Sequence, residues 1–371
     1  MTGHLDSRST VVAERSSVAE MAVAEKGLDL ARAFYAEVIA PVLRRPHTAC
    51  LIGEGSEVLG YDSERSTDHE WGPRIQVFVE DDLVVPTREL IEDVLPDRFH
   101  GMPTRWFSLA HGRVGHHVEI DTTESWLVDR LPTLPSDPDP ATWLAAPQQH
   151  LLQLTSGEVF HDDLGVLTRR RQIYVWYPDD LWRWMIASQW HAIGDTEPLL
   201  GRSVESGDHR NARLLTARLC RLSIEMAYLQ NRRYRPYAKW RGRGFAELLV
   251  GDNLAPLIDE ALVEPPDLRP DGPLQQVLLR LAAAHNELRI SEPVDAVIDD
   301  FSVGINEAVR PFPVLNTSAF IDATVAAIVD DGVRNLPRVG AIDQLTDTSD
   351  LLINFTTWPN VTAETYRRLL T

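Results

Sequence analysis

Apolar positions recur along the chain at two different periods, and the change between them divides it. Residues 21–46 (MAVAEKGLDLARAFYAEVIAPVLRRP) place apolar side chains at helical spacing and stop at Pro46, which predicts one amphipathic helix. The run ACLIGEG (49–55) ends in glycines. The segments IQVFVED (75–81) and HHVEID (116–121) alternate in polarity or are rich in β-branched residues, so all three read as strands. Between the last two, residues 86–95 (PTRELIEDVL) read as a helix with proline at its start. The order α-β-β-α-β predicts a small mixed α/β unit built on a sheet.

Beyond it the pattern changes. Residues 131–147 (LPTLPSDPDPATWLAAP) hold five prolines and read as a connector. The remainder is helical by period: 180–193, 208–233, 272–289, 293–309 and 317–335, with breaks at Gly194, Pro236 and Pro265-Pro266. The first 20 residues show no such pattern and read as a flexible tail. The predicted class is α+β. The predicted domains are an α/β unit over 21–130, the connector at 131–147, and a mainly helical domain over 148–371. Trp182, Trp184 and Trp190 are expected in the core of that domain.

Composition narrows the function. Against 55 acids stand 36 basic residues, giving a net charge of −19. A field of that sign repels phosphate backbones and anionic lipid, so nucleic acid and membrane surfaces are not expected partners. No apolar run is long enough for a membrane helix, and the N-terminal residues lack the apolar core of a signal peptide. Cys50 and Cys220 are the only cysteines, which predicts no disulfide framework and a cytoplasmic location.

Candidate chemistry concentrates in LIGEGSEVLGYDSERSTDHEWGPR (51–74). An apolar strand runs into Gly55-Ser56. Glycine lets a backbone approach a phosphate closely, and the Ser56 hydroxyl can donate to a phosphate oxygen. Twelve residues on, Asp68 and Glu70 flank His69. They are i and i+2 in an extended segment, so both carboxylates project to one face, where they can ligate one or two Mg²⁺ ions through oxygen. A third acid is expected on a neighbouring strand. Glu119 and Asp121 both qualify, as metal ligand or as base for an attacking hydroxyl, with Glu119 favoured by its place in the strand body. Arg65 and Arg74 bracket the acid pair and match phosphate oxygens or, equally, the acids beside them.

A strand ending in Gly-Ser, then Asp-x-Glu, then a later strand acid resembles the nucleotidyltransferase superfamily that includes DNA polymerase β and the aminoglycoside nucleotidyltransferases. The stretches GSEVLGYDSERSTDHEWGPR and GAIDQLTDTSDLL (340–352) further resemble the bacterial family known as domain of unknown function 4037, over roughly residues 30–360. That resemblance implies a nucleotidyltransferase-like domain joined to a helical one, and no particular substrate. It implies that Gly55 and Ser56 cradle a triphosphate, that Asp68 and Glu70 bind Mg²⁺, and that Glu119 or Asp121 assists. Glu70 stands where aspartate is more usual.

In the arginine- and aromatic-rich segment NRRYRPYAKWRGRG (231–244), Tyr237 and Lys239 resemble the tyrosine or lysine with which helical domains of several small-molecule nucleotidyltransferases contact the triphosphate. The expected activity is Mg²⁺-dependent transfer of a nucleotide, AMP from ATP, to a hydroxyl of a small-molecule acceptor, with a protein hydroxyl as the other acceptor class. The alternative is a non-catalytic nucleotide-binding or antitoxin-like protein-interaction module on the same fold. A zinc site at His111, His116 and His117 is a third reading, weakened by the absence of companion cysteines or spaced histidines.

Overall fold

The computed structural model describes residues 26–371 apart from 69–70, 109–111, 265, 267–268, 303–308, 349–351 and 353–356, with the side chains of residues 67, 68 and 252 also outside the description. The chain forms two compact units. The first comprises the chain up to Ser136 together with Leu152–Val175, and the second comprises Asp137–Leu151 and Trp176–Thr371.

The first unit is a mixed α/β layer. Its sheet contains β1 (Thr48–Leu51), β2 (Arg74–Phe78), β5 (Arg105–Ser108), β6 (Arg113–Asp121) and β7 (Glu158–Asp162), in the order β5-β6-β2-β1-β7; β3 (Arg98–Phe99) and β4 (Met102–Pro103) form a separate short hairpin. β2 and β6 run parallel, with Gln76 opposite Glu119, while β1 pairs antiparallel with both β2 and β7. Alternation assigns the faces. Ala49, Leu51, Ile75, Val77, Val118 and Ile120 are buried in one apolar cluster with Leu30 and Phe34 of α1 (Gly27–Phe34) and Ile91 of α2 (Val84–Val94). The predicted helix over 21–46 is thus realised as α1 and a following π-turn, Tyr35–Ile39, and its residues 21–25 lie outside the described part. Burying these aliphatic side chains at about 25 cal/mol per Å² is the main stabilising contribution of the unit. The opposite face carries Arg74, Gln76, Glu119 and Asp121, and the indole of α3 (Thr123–Arg130) covers part of it.

The strand β7 has no counterpart in the sequence reading. It pairs with β1 at the sheet edge, so Leu152–Val175, including α6 (Val166–Ile173), belongs to the first unit although it follows the proline-rich stretch. Within that stretch Pro140–Ala145 is a helix, α4, started by Pro140 and capped by Asp139, whose carboxylate accepts from Thr142 N–H at 2.7 Å. The helix α5 (Gln148–Thr155) follows.

The second unit is mainly helical. Its principal helices are α7 (Asp179–Glu205), α8 (His209–Gln230), α10 (Gly251–Val263), α11 (Pro273–Leu288), α12 (Thr317–Ala326) and α15 (Thr357–Leu370), with shorter helices α9 (Arg241–Ala246), α13 (Asp331–Asn335) and α14 (Ile342–Leu345). Trp182, Trp184 and Trp190 project from α7 into the core, and Trp182 Nε1 donates to the Leu229 carbonyl at 2.8 Å. Two expectations change here. Gly194 does not break α7. It lets the helix approach α12, since a Cβ there would strike the Thr317 side chain. The described residues of 293–309 form no helix: β8 (Ile298–Ser302) pairs with β9 (Val309–Leu315) in an antiparallel ribbon. Pro311 and Pro313 within β9, together with the β-branched residues of the ribbon, oppose a helix there. No helix among the described residues is long and apolar enough to cross a membrane.

Candidate functional site

The candidate site lies at one end of the β1-β2-β6 face. Because β1 and β2 are antiparallel, with Cys50 opposite Gln76, the turn that leaves β1 emerges beside the start of β2 at Arg74. Gln76 ties the two together: its Oε1 accepts the Ile52 N–H at 3.0 Å, one residue before Gly53. Gly55 has φ +133°, in the region that favours glycine. A Cβ at this position would strike the Arg74 guanidinium and lie 2.7 Å from the Glu57 carboxylate. The glycine predicted for phosphate approach is therefore already required by the packing of an ion pair. Ser56 opens the next turn, its carbonyl accepting from Tyr61 N–H at 2.8 Å, and its hydroxyl makes no hydrogen bond among the described residues.

Arg74 is held from two sides. Its Nε donates to Glu57 Oε1 at 2.7 Å, its Nη2 lies 2.6 Å from the same oxygen, and Nη2 also donates to the Glu54 carbonyl. Burial alone would lower the Arg74 pKa, but the Glu57 carboxylate outweighs it and the pKa is raised, so the cation is fixed. Of the two roles open to Arg74, the structure shows the ion pair, with an acid that the sequence reading did not single out. Arg65 is exposed in a 3₁₀ turn, Glu64–Asp68.

That turn corrects one expectation. The backbone reaching Asp68 is not extended, because Ser63 and Ser66 exchange local hydrogen bonds, Ser66 N–H to the Ser63 carbonyl at 2.8 Å and Ser63 N–H to Ser66 Oγ at 3.0 Å. Such serine-backbone bonds favour turns over strands. Asp68 therefore ends a 3₁₀ turn and is not in a strand. The Asp68 side chain, His69 and Glu70 lie outside the described residues.

The two candidates for the third carboxylate differ. Asp121 ends β6 and is engaged with the start of α3: Oδ1 accepts from Thr122 N–H at 2.7 Å and Oδ2 from Ser125 Oγ at 3.3 Å. Glu119, half-buried in the strand body, accepts the Trp126 Nε1–H at 2.7 Å on Oε2, and Arg130 approaches the same oxygen at 3.7 Å. Its Oε1 has no partner among the described residues. The Trp126 ring also touches the turn, lying 3.6 Å from where a Gly53 Cβ would be. One indole thus spans from the β1 turn to Glu119. An all-oxygen donor with one free oxygen suits a hard cation such as Mg²⁺, and Glu119 fits that role better than Asp121. Neither Trp126 nor Arg130 was legible as a site residue, since a contact seven residues along crosses from strand to helix and follows no periodicity.

Tyr237 and Lys239 belong to the second unit. Tyr237 lines a small cleft with Gln149, Arg235, Arg241, Asp343 and Asp347. Arg235 there is buried and paired with Glu225 at 2.6 Å and Asp343 at 3.1 Å. Lys239 is exposed, its Nζ 4.8 Å from the centre of the Trp240 ring, a cation–π contact.

Of the three histidines of the zinc reading, two are described, and each is engaged elsewhere. His116 lies 3.1 Å from Glu92, His117 stacks on Trp106 with ring centres 3.7 Å apart, and His111 lies outside the described residues. Cys50 is fully buried, and burial pushes its thiol pKa up, which removes it as a nucleophile.

Comparison with curated proteins and with solved structures returned no match. A family model matches over residues 143–241, a segment that contains Tyr237 and Lys239 but neither the Gly55-Ser56 turn nor Glu119. The family it describes is the Domain of unknown function (DUF4037), and residues 143–241 of the chain are similar to it.

Proposed function

We propose that the protein is a nucleotidyltransferase that moves AMP from ATP to a hydroxyl of a small-molecule acceptor. The observation that carries this reading is Glu119, whose Oε1 has no partner among the described residues on the sheet face beside the β1 turn while Trp126 and Arg130 hold Oε2. The acceptor oxygen forms a bond to the α-phosphorus, the bond to the β-phosphate oxygen breaks, and pyrophosphate leaves. The acceptor proton passes to solvent water. Ser56 donates its hydroxyl to a phosphate oxygen, and the backbone around Gly55 follows the triphosphate. Asp68, Glu70 and Glu119 would hold Mg²⁺, which when bound neutralises phosphate charge and lowers the barrier to displacement. Arg130, half-exposed beside Glu119, adds positive charge at the site.

A small acceptor is preferred to nucleic acid because the chain carries a net charge of −19. The two cysteines are free and buried, which suits a reducing cytoplasm. The reading is tested by incubating the protein with each NTP, Mg²⁺ and a metabolite extract and following pyrophosphate release. Release that disappears in Asp68→Ala and Glu70→Ala supports it. Nucleotide binding without release over the whole acceptor panel contradicts it.

A further inference from the structure

At the other end of the sheet, on the far side of β1, three metal-ligating side chains meet outside the site described above. His47 immediately precedes β1, His161 lies in the edge strand β7, and Asp163 immediately follows it. One ligand atom from each falls within 4.8 Å of the others. The backbone holds the group together, since Asp163 N–H donates to the His47 carbonyl at 3.0 Å and Ala49 is opposite His161 in the β1–β7 register.

The ring nitrogens have defined roles. His47 Nδ1 lies 2.7 Å from the Arg45 carbonyl. A carbonyl only accepts, so Nδ1 carries the proton and Nε2 presents its lone pair. A ligating histidine is characteristically oriented in this way, by a carbonyl on its second nitrogen. The Tyr35 hydroxyl lies 3.0 Å from His47 Nε2 and can donate to it. His161 stacks against His47 with ring centres 4.4 Å apart. Its Nε2 is buried and lies 2.7 Å from Asp163 Oδ2, yet the contact departs from hydrogen-bond geometry. The nitrogen is therefore close to a carboxylate, with no directed partner among the described residues. His161 and Asp163 are 35% and 48% exposed, which leaves an approach from solvent.

We propose that His47, His161 and Asp163 form a binding site for a divalent transition metal of borderline softness, Zn²⁺ in particular. Two imidazoles and one carboxylate are a common three-ligand set for tetrahedral zinc, with water in the fourth position. The metal takes the Nε2 lone pair of His47 in place of the Tyr35 proton, and the Tyr35 hydroxyl remains beside the coordinated water. The site joins the first and last strands of the β1–β7 pair, so occupancy fastens the sheet edge.

The test is titration of the tag-free full-length protein with Zn²⁺ by calorimetry, and with Co²⁺ by the visible absorption of tetrahedral cobalt. The expected result is one saturable site. His161→Phe keeps the ring stack without its nitrogens, and Asp163→Asn changes only an exposed side chain. Each should weaken binding by more than about 100-fold, beyond the 10–100-fold typical of outer-shell partners. His117→Phe removes a histidine the site does not use and should leave binding unchanged. Circular dichroism matching the wild type confirms that the variants fold. Absence of saturable Zn²⁺ binding to the wild type, or binding that survives both His161→Phe and Asp163→Asn, overturns the proposal.

Discussion

The Trp126 indole donates to Glu119 Oε2 at 2.7 Å while its ring edge lies against Gly53. A single side chain of α3 thereby sets the distance between the turn after β1 and the carboxylate of β6. Trp126→Phe keeps most of the ring and removes the donor. The lost hydrogen bond should cost about 1 kcal/mol of stability. A carboxylate freed to rotate should raise the Mg²⁺ concentration for half-maximal pyrophosphate release by roughly 10–100-fold, as loss of an outer-shell partner does. Mg²⁺ titration of turnover measures it.

Glu119 and Asp121 are separable by substitution. Asp121 is occupied by Thr122 N–H and Ser125 Oγ, so Asp121→Asn should cost about 1 kcal/mol through the start of α3 and leave turnover within a few-fold of wild type. Glu119→Gln should abolish turnover with little change in melting temperature. Steady-state kinetics beside thermal denaturation of both variants distinguishes the assignments, and the reverse pattern assigns the role to Asp121.

Glu57 and Arg74 are both largely buried and bonded to each other. Removing one partner strands the other's charge, so Glu57→Ala should destabilise the first unit by about 3–5 kcal/mol. The double variant Glu57→Leu/Arg74→Met removes both charges and should lie closer to wild type. Urea denaturation of the single and double variants gives the coupling.

Glu197, buried in α7, accepts the Leu315 N–H through both oxygens at 3.3 Å, and burial raises its pKa to about 8. A carboxyl whose folded pKa stands above its unfolded value holds its proton more tightly when folded. Its contribution is complete below the unfolded pKa and is lost as pH rises towards 8. At about 1.4 kcal/mol per unit of displacement, Glu197→Gln should stabilise the protein by up to about 4 kcal/mol at pH 8 and by little at pH 5. Melting temperatures of wild type and variant at the two pH values check the sign.

Much of the fold was legible in the sequence because burial imposes a period. The strands around Cys50, Val77 and Ile120 and the long helices carrying Trp182 and Met226 show the periods of half-buried strand and buried helix. The elements that were missed owe their form to long-range pairing. The β7 segment SGEVFHDD is half-buried at a sheet edge and alternates weakly. Residues 293–309 carry apolar positions at helical spacing, but the pairing of Ile298 with Leu315 places them in a ribbon. At the site, Gly55, Ser56 and Glu119 were visible as a spaced set. Glu57 and Trp126 were not, because their roles depend on partners 17 residues ahead and 7 behind. The spacing of Asp68 and Glu70 suggests an extended segment, but local serine bonds turn the backbone up to Asp68 into a 3₁₀ turn.

The central claim is transfer of a nucleotidyl group, and the fate of each phosphorus of ATP tests it most directly. The protein is incubated with Mg²⁺, a metabolite extract and ATP labelled at either the α- or the γ-phosphorus. Nucleotidyl transfer puts the α-label in a new acceptor adduct and the γ-label in pyrophosphate, with both lost in Glu119→Gln. The γ-label transferred to an acceptor, released as inorganic phosphate, or retained in unreacted ATP with every acceptor would contradict it.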